Sequence, residues 1–444
     1  MEDDLSLLGV SPSDRKKLEN MGITTLEQIA VMSPQTLGMG ASKGSMLIQR
    51  ARNIIANNNI LNIDIKDDDT IEVEVKKIDR AIKKSVANIL DVLISGWGNA
   101  AIETKNNTII LKRKSSGFDR VLQKAREIQE IFEAKRIEER EKLGIYLPED
   151  ELIEFARKRR FEGFWKNVFQ EIHGNDIMKK VIATSMFSSF EEPVHSLIIG
   201  EPGSSKTMAK EIISERFSDV VTVGANTTRS GLVCNLGTGD LGVLPHANQK
   251  IVLVDEFDKI PSEDIEYCYE LLSNGKCSVH SAKIHQNITS HFIMIAFANP
   301  KTKVFTRNAV EEIGLSPLLV SRCALIVRVK NISAEDRINL FMKKFYQSGE
   351  IQEKHEYYDQ WIRLTRTYHP EITASKSVVK EYIQDMNDIV ERYYSTNLRR
   401  DLRMADYIRR IPLAIARASF SPVDDNVIAE SRSIIKESIQ TWFE

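Results

Sequence analysis

Apolar residues recur at helical spacing through SPSDRKKLENMG, TTLEQIAVM and SKGSMLIQRARNIIA, which predicts a small all-helical unit over residues 1–57. Ser11 ahead of Pro12, Thr24 or Thr25, and Ser42 are the expected N-caps. Asn57, Asn58 and Asn59, followed by the acidic stretch 64–69, predict a linker or exposed turn. The period then changes. IEVEV (71–75) alternates as a strand does, AIKKSVANILDVLI (81–94) has the apolar face of a helix, and AAIETKNNTIILKRK (100–114) reads as a hairpin turning at Asn106-Asn107. A long charged helix is expected from about Gly117 to Leu143, so residues 58–147 form a small α+β unit without an assigned role.

From Pro148 onward helices alternate with short apolar strands. HSLIIG (195–200), KIVLVDE (250–256) and HFIMIAFANP (291–300) lack alternation, as strands do in a parallel sheet covered on both faces. This is an α/β pattern over 148–332, and from Ser333 to residue 444 only helices are expected.

Composition narrows the class. A chain of 444 residues predicts about three domains, and 42% hydrophobic residues supply real cores. With 61 Lys and Arg against 63 Asp and Glu, the net charge of −2 excludes a wholly basic nucleic-acid coat. Residues 71–120 hold ten basic and six acidic side chains, a local surplus that a solvated face accounts for. No apolar run approaches the ~18 residues of a membrane span, and the acidic MEDDLSLLGV is unlike a secretion signal. Four cysteines make no disulfide framework, which predicts a reducing, cytoplasmic setting.

The candidate chemistry lies at three strand ends. The first strand runs into Gly200-Glu201-Pro202-Gly203-Ser204-Ser205-Lys206-Thr207 and then a helical MAKEIISERF. A Gly-rich turn at a helix N-terminus aims backbone N–H groups at phosphates, Lys206 reaches the β/γ-phosphates, and the Thr207 hydroxyl meets Mg²⁺. Ser205 stands where the strict P-loop pattern wants glycine. The second strand ends in Asp255-Glu256, suited to holding Mg²⁺ through water and to orienting the attacking water. The third ends at Asn299-Pro300, which a parallel sheet would bring beside the γ-phosphate. ATP and Mg²⁺ are the expected cofactors, and ATP hydrolysis the expected reaction.

These strings resemble a known family. Val254-Asp255-Glu256-Phe257-Asp258-Lys259-Ile260 is similar to the I-D-E-F-D-K-M signature of minichromosome maintenance (MCM) helicases, a AAA+ family whose P-loop also lacks the third glycine. EIHGNDIMKKVIATSMF (171–187) resembles the family's segment ahead of the P-loop, which puts Ile172 and His173 among the nucleotide-binding residues. Leu315-Ser316-Pro317-Leu318-Leu319-Val320-Ser321-Arg322 is similar to the stretch ending in the arginine finger, with Cys323-Ala324 replacing its Phe-Asp. Residues 402–417 resemble the lid helix, making Arg403 the sensor-2 candidate. The resemblance covers about residues 150–440. It implies a AAA+ P-loop core with a helical lid, and a homo-oligomer, a hexamer with Arg322 and Arg403 acting in trans.

Two hairpin inserts belong to that resemblance. TTRSGL (227–232) followed by LGTGDLG is similar to the start of the helix-2 insert. SVHSAKI (278–284) stands where the family has the pre-sensor-1 hairpin, its Lys283 two positions beyond the usual lysine. Cys268, Cys277 and His280 lack paired C-x-x-C spacing and read as core residues rather than zinc ligands. The family's zinc finger and OB-fold collar have no counterpart. Residues 1–57 instead resemble the helix-hairpin-helix domain of archaeal RecA-type recombinases, through Leu8-Gly9-Val10-Ser11 and Leu37-Gly38-Met39-Gly40-Ala41-Ser42. Gly38, Gly40 and Lys43 are the DNA-phosphate candidates there, and Lys283 the candidate in the channel hairpin. The resulting expectation is a ring ATPase coupling hydrolysis to sequence-independent movement on DNA, without a membrane partner. A AAA+ remodeller of protein or cofactor-loading complexes, as chelatase-like and MoxR-like ATPases are, would use the same ATP site.

Overall fold

In a computed structural model the protein is described over residues 4–93, 98–224, 227, 229–235, 238–260, 268–280, 285–301, 308–331, 337–338, 342, 345, 355–393 and 403–443. It forms two compact units, Met1–Lys142 and Leu143–Glu444.

The first unit opens with helices α1 (Pro12–Asn20), α2 (Leu26–Val31) and α3 (Ala41–Asn59). Ser11 caps α1 by accepting from the Asp14 N–H, and Thr25 with Gln28 forms a capping box on α2. Ser42 is not a cap. Gly40, at φ 81°, starts α3 two residues earlier, which leaves Ser42 in its first turn.

Of the linker or exposed turn expected here, the turn is what forms. α3 runs through all three asparagines, with Asn59 Nδ2 donating back to the Ile55 carbonyl at 2.8 Å, and β1 (Ile60–Asp67) begins at the next residue. The acidic stretch is strand and tight turn, closed by the Asp69 N–H on Asp67 Oδ1 at 2.8 Å, and leads into β2 (Thr70–Val75). Helix α4 (Arg80–Ile89), the hairpin β3 (Ala100–Lys105) and β4 (Thr108–Arg113), and helix α5 (Phe118–Lys142) complete the unit. The antiparallel sheet is ordered β1-β2-β4-β3. Its buried face, including Ile63, Ile71, Val73 and Leu111, shares one core with Leu18, Ile29 and Ile48 of the helices and Phe118 of α5. One face of a small sheet must be covered to be stable, and here the amino-terminal helices help cover it. The break expected between residues 57 and 58 is thus not a break in packing.

The second unit begins with α6 (Glu149–Val168) and α7 (Asp176–Phe187). Then come β5 (Ser196–Gly200), α8 (Lys206–Arg216), β6 (Val220–Val223) and β7 (Ile251–Val254). A hairpin of β8 (Lys276–His280) and β9 (His285–Thr289) precedes β10 (Ile293–Ala298) and β11 (Leu325–Val329). Apart from the hairpin these strands make one parallel sheet, ordered β11-β5-β10-β7-β6. Every residue of β5, β7 and β10 is buried, which is why their sequences do not alternate.

Helices His355–Thr365, Lys376–Tyr393, Arg403–Ala418 and Asp425–Gln440 follow. They share the sheet's core rather than standing apart. The buried Trp442 indole donates to the Ile326 carbonyl on β11 at 2.8 Å, and that of Trp361 to Ala418 at 2.9 Å. Among the described residues no helix is long and apolar enough to cross a membrane.

Candidate nucleotide site

Parallel strands carry their carboxyl ends to one edge, and β10 lies between β5 and β7. Register pairs Ala298 with Ile199 and Ala296 with Val254, so the residues leaving these strands, Gly200, Asp255 and Asn299, share that edge. This is where an open α/β sheet binds its ligand.

The loop geometry requires its glycines. Gly203 has φ 83°, and a Cβ on Gly200 would lie 2.8 Å from Ser204 Oγ and 3.1 Å from Lys206 Nζ. Pro202, Ser204 and Ser205 complete the turn, and Ser205 stands at the N-cap of α8. Lys206 is buried, donating to the carbonyls of Gly200 and Glu201, the latter at 3.0 Å, and to Ser204 Oγ at 3.0 Å. Burial pushes its pKa down to about 8, opposed by the carboxylates of Asp258, Asp255 and Glu201. An ammonium held inside a ring of acceptors, with three carboxylates around it, is chemistry suited to polyphosphate and its metal.

Asp255 leaves β7 with its N–H on the Val223 carbonyl at 2.8 Å, and its side chain pairs with Lys210, one turn along α8 from Lys206. Thr207 lies in the first turn of α8, and its hydroxyl with the Asp255 carboxylate are donors that could hold Mg²⁺. Glu256 adopts the left-handed region at φ 52°, unusual for a residue with a Cβ, and its carboxylate pairs with Lys259. Asn299 is positioned by its backbone, whose N–H donates to Asp258 Oδ1 at 2.8 Å.

Sequence reasoning missed two members of this edge. Asp258 was visible in the quoted signature, yet only the structure links it to both Lys206 and Asn299. Asn175, at φ 50° before α7, donates to the Lys330 carbonyl at 3.1 Å, accepts from the Lys330 N–H at 3.1 Å, and approaches Ser205 Oγ at 3.5 Å. It fastens the end of β11 to the loop, and nothing in its spacing announced that. Ile172 is a core residue whose N–H is taken by the Phe169 carbonyl at 3.0 Å, while His173 is half-buried.

The structure does not bring Arg322 to this edge. Leu325 opens β11 opposite Ser196, and the Ala324 N–H bonds the His195 carbonyl at 2.8 Å, so Arg322 lies off the amino end of the sheet. A five-residue strand, roughly 16 Å long, separates that end from Gly200. Arg322 is 8% exposed there, with Nε on the Tyr269 carbonyl at 2.9 Å. Arg403 begins the helix Arg403–Ala418, which is fastened to the same end. Tyr407 Oη donates to the Ser321 carbonyl at 3.0 Å, and Arg410 to that of Pro193 at 3.2 Å.

The two segments read as inserts are a short helix with a bridge and a paired hairpin. Helix Arg229–Leu232 is followed by an antiparallel bridge between Cys234 and Leu241, and the β8–β9 hairpin is paired from Lys276↔Thr289 to His280↔His285. Lys283 lies outside the described residues. Cys268 and Cys277 are buried and form no disulfide, and among the described residues no cluster of three metal-binding side chains occurs. In the first unit Gly38 (φ 63°) and Gly40 (φ 81°) form the turn into α3. Lys43 there pairs with Asp14 at 2.8 Å, and together with the Ser11 hydroxyl it holds that carboxyl below its usual range.

Comparison with known proteins agrees with this geometry. Residues 149–344 match the MCM P-loop domain family. The minichromosome maintenance protein MCM of Saccharolobus solfataricus is 28% identical over 189 residues, 38% of this chain and 28% of that protein. The zygotic DNA replication licensing factor mcm3 of Xenopus laevis is 23% identical over 285 residues, 60% of this chain and 33% of that protein. DNA replication licensing factor MCM2 of Oryza sativa subsp. indica is 26% identical over 230 residues, 46% of this chain and 23% of that protein. The chain spans a quarter to a third of the length of these relatives. Residues 149–344 are thus similar to an MCM P-loop domain, and the parallel sheet fits a P-loop core.

Proposed function

We propose that this chain is a ring-forming, MCM-like ATPase that couples ATP hydrolysis to translocation on, or unwinding of, DNA. One observation carries the reading. The phosphate-side residues and the finger arginine occupy opposite ends of the same parallel sheet, so one protomer cannot close its own site. A neighbour in a closed homo-oligomer, a hexamer by the family resemblance, would supply Arg322 and Arg403 to Lys206, Asp255 and Glu256.

In the proposed mechanism the backbone of residues 200–205 and Lys206 hold the phosphates. Thr207 and Asp255 would hold Mg²⁺, which when bound supplies charge neutralisation at the β/γ-phosphates. Glu256 orients and deprotonates the attacking water, and Asn299, held by Asp258, fixes the γ-phosphate side. Charge developing on the phosphoryl oxygens is met by the two arginines, whose planar and permanently protonated groups suit that task.

DNA is the proposed partner, gripped without base readout at two places. One is the Gly38–Gly40 turn, which leads into exposed residues 41–43 at the start of α3, where a helix leaves its first N–H groups without intrahelical partners. The other is the β8–β9 hairpin with Lys283. The names of two matched relatives, DNA replication licensing factors, favour work on DNA over protein remodelling, in the proposed cytoplasmic setting. ATPase rate with and without single-stranded DNA tests the coupling. Stimulation that declines steeply with salt is expected, and no response to single or double strands would overturn it.

A further inference from the structure

We infer that Tyr269 is a positioning residue for the Arg322 finger, and that the helix Tyr269–Asn274 links that finger to the β8–β9 hairpin. The inference rests on the proposed shared site. Tyr269 holds Arg322 in two ways. Its carbonyl accepts from Arg322 Nε at 2.9 Å, and its ring lies under the guanidinium, 4.4 Å from centroid to Cζ. Its hydroxyl bonds Ser316 Oγ at 2.7 Å, and Ser316 caps the short helix Pro317–Val320, whose Leu318 carbonyl also accepts from Arg322. Ser273, one turn along, accepts from Nε at 3.1 Å. A planar cation stacked on a ring and fixed by three acceptors has a defined plane, which a finger needs to meet a developing charge.

The platform under the finger is itself braced. His195 is fully buried between strands and helix. Its Nδ1 accepts from the Met294 N–H at 3.0 Å, which leaves Nε2–H to donate to the Leu272 carbonyl at 3.1 Å. Burial pushes its pKa down to about 4, so the imidazole stays neutral and keeps both bonds near pH 7. The helix ends at Gly275, φ 69°, where a Cβ would lie 2.4 Å from His291 Nδ1, and β8 starts at the next residue. The rest of the finger and the root of the hairpin therefore belong to one braced element. Displacing the hairpin tilts the helix, and with it the ring on which Arg322 lies.

Mixed rings test this. Tyr269→Leu removes the ring face and the hydroxyl, and should lower kcat about tenfold with little change in KM for ATP, because the protomer's own phosphate loop is untouched. Tyr269→Phe, which keeps the ring, should recover most of that loss. Mixing Tyr269→Leu with Lys206→Ala under conditions of subunit exchange should raise activity above either alone, as Arg322→Ala with Lys206→Ala should. Tyr269→Leu with Arg322→Ala should give no gain at any ratio, since both damage the same half-site. If the arginine reference pair recovers but Tyr269→Leu with Lys206→Ala does not, or if the two finger-side variants rescue each other, the positioning role is overturned. If the reference pair itself fails to recover, the shared site falls and this inference with it.

Discussion

The two ends of the parallel sheet are built on opposite principles. At the carboxyl end the functional groups are charged, partly exposed and locally strained. Glu256 and Gly203 sit at positive φ, Asp255 and Glu256 are held by lysines, and Lys206 is an ammonium with a lowered pKa. At the amino end Arg322, the proposed finger, is buried against backbone carbonyls and the ring of Tyr269, whose helix is braced by a neutral histidine. The first end is poised to exchange its internal ion pairs for a ligand's. The second is made to hold one side chain still. The proposed site, assembled from both, needs its charged half to receive phosphate and its buried half to arrive in register.

Variants at each end should separate these roles, beginning with the largest effect. Glu256→Gln should leave nucleotide affinity nearly intact and lower turnover by roughly 10²–10⁴, the worth of a positioned base, measurable by single-turnover hydrolysis. Parental turnover would remove Glu256 from the chemistry. At the other end Arg322→Ala should cost roughly 10³ in kcat and little in KM, in line with fingers supplied in trans.

Asp258→Asn should have a smaller effect, about tenfold in kcat, by loosening Asn299. It should also move the Lys206 titration. Lys206 has a pKa of about 8 in the ligand-free protein, so near pH 8 it is half neutral, and a bound polyphosphate would raise that value. Nucleotide binding should therefore take up protons around pH 8–9 and hardly any at pH 7, read from the buffer dependence of calorimetric heats. Losing the Asp258 charge should shift that uptake to lower pH. The least effect is expected in the first unit, where Lys43→Ala removes a half-exposed pair with Asp14. It should change stability little, with a several-fold loss of DNA affinity at low salt.

The carboxyl end was readable because its chemistry is local. A strand, a glycine turn, a lysine and a helix are consecutive, and Asp255-Glu256 closes a run of buried residues. Three non-alternating strands likewise fixed the parallel sheet. The amino end is assembled from distant pieces, His195, Tyr269, Ser316 and Arg322, that share no spacing, so the resemblance points to the arginine but not to the residues that hold it. Asn175 and Asp258 were missed for the same reason, since their partners, Lys330 and Asn299, lie far along the chain. That the turn forms without a linker has a local cause. Three asparagines resemble a break, yet Asn59 bonds its own helix, and an acidic turn is compatible with a strand whose other face is buried.

The most direct test is to mix Lys206→Ala protomers with Arg322→Ala protomers, each inactive alone, while subunits exchange. A site divided between neighbours predicts that hydrolysis returns, highest near equal proportions, because some boundaries then join an intact phosphate loop to an intact finger. Activity that stays at the level of the separate variants at every ratio, in rings shown to contain both, would contradict it.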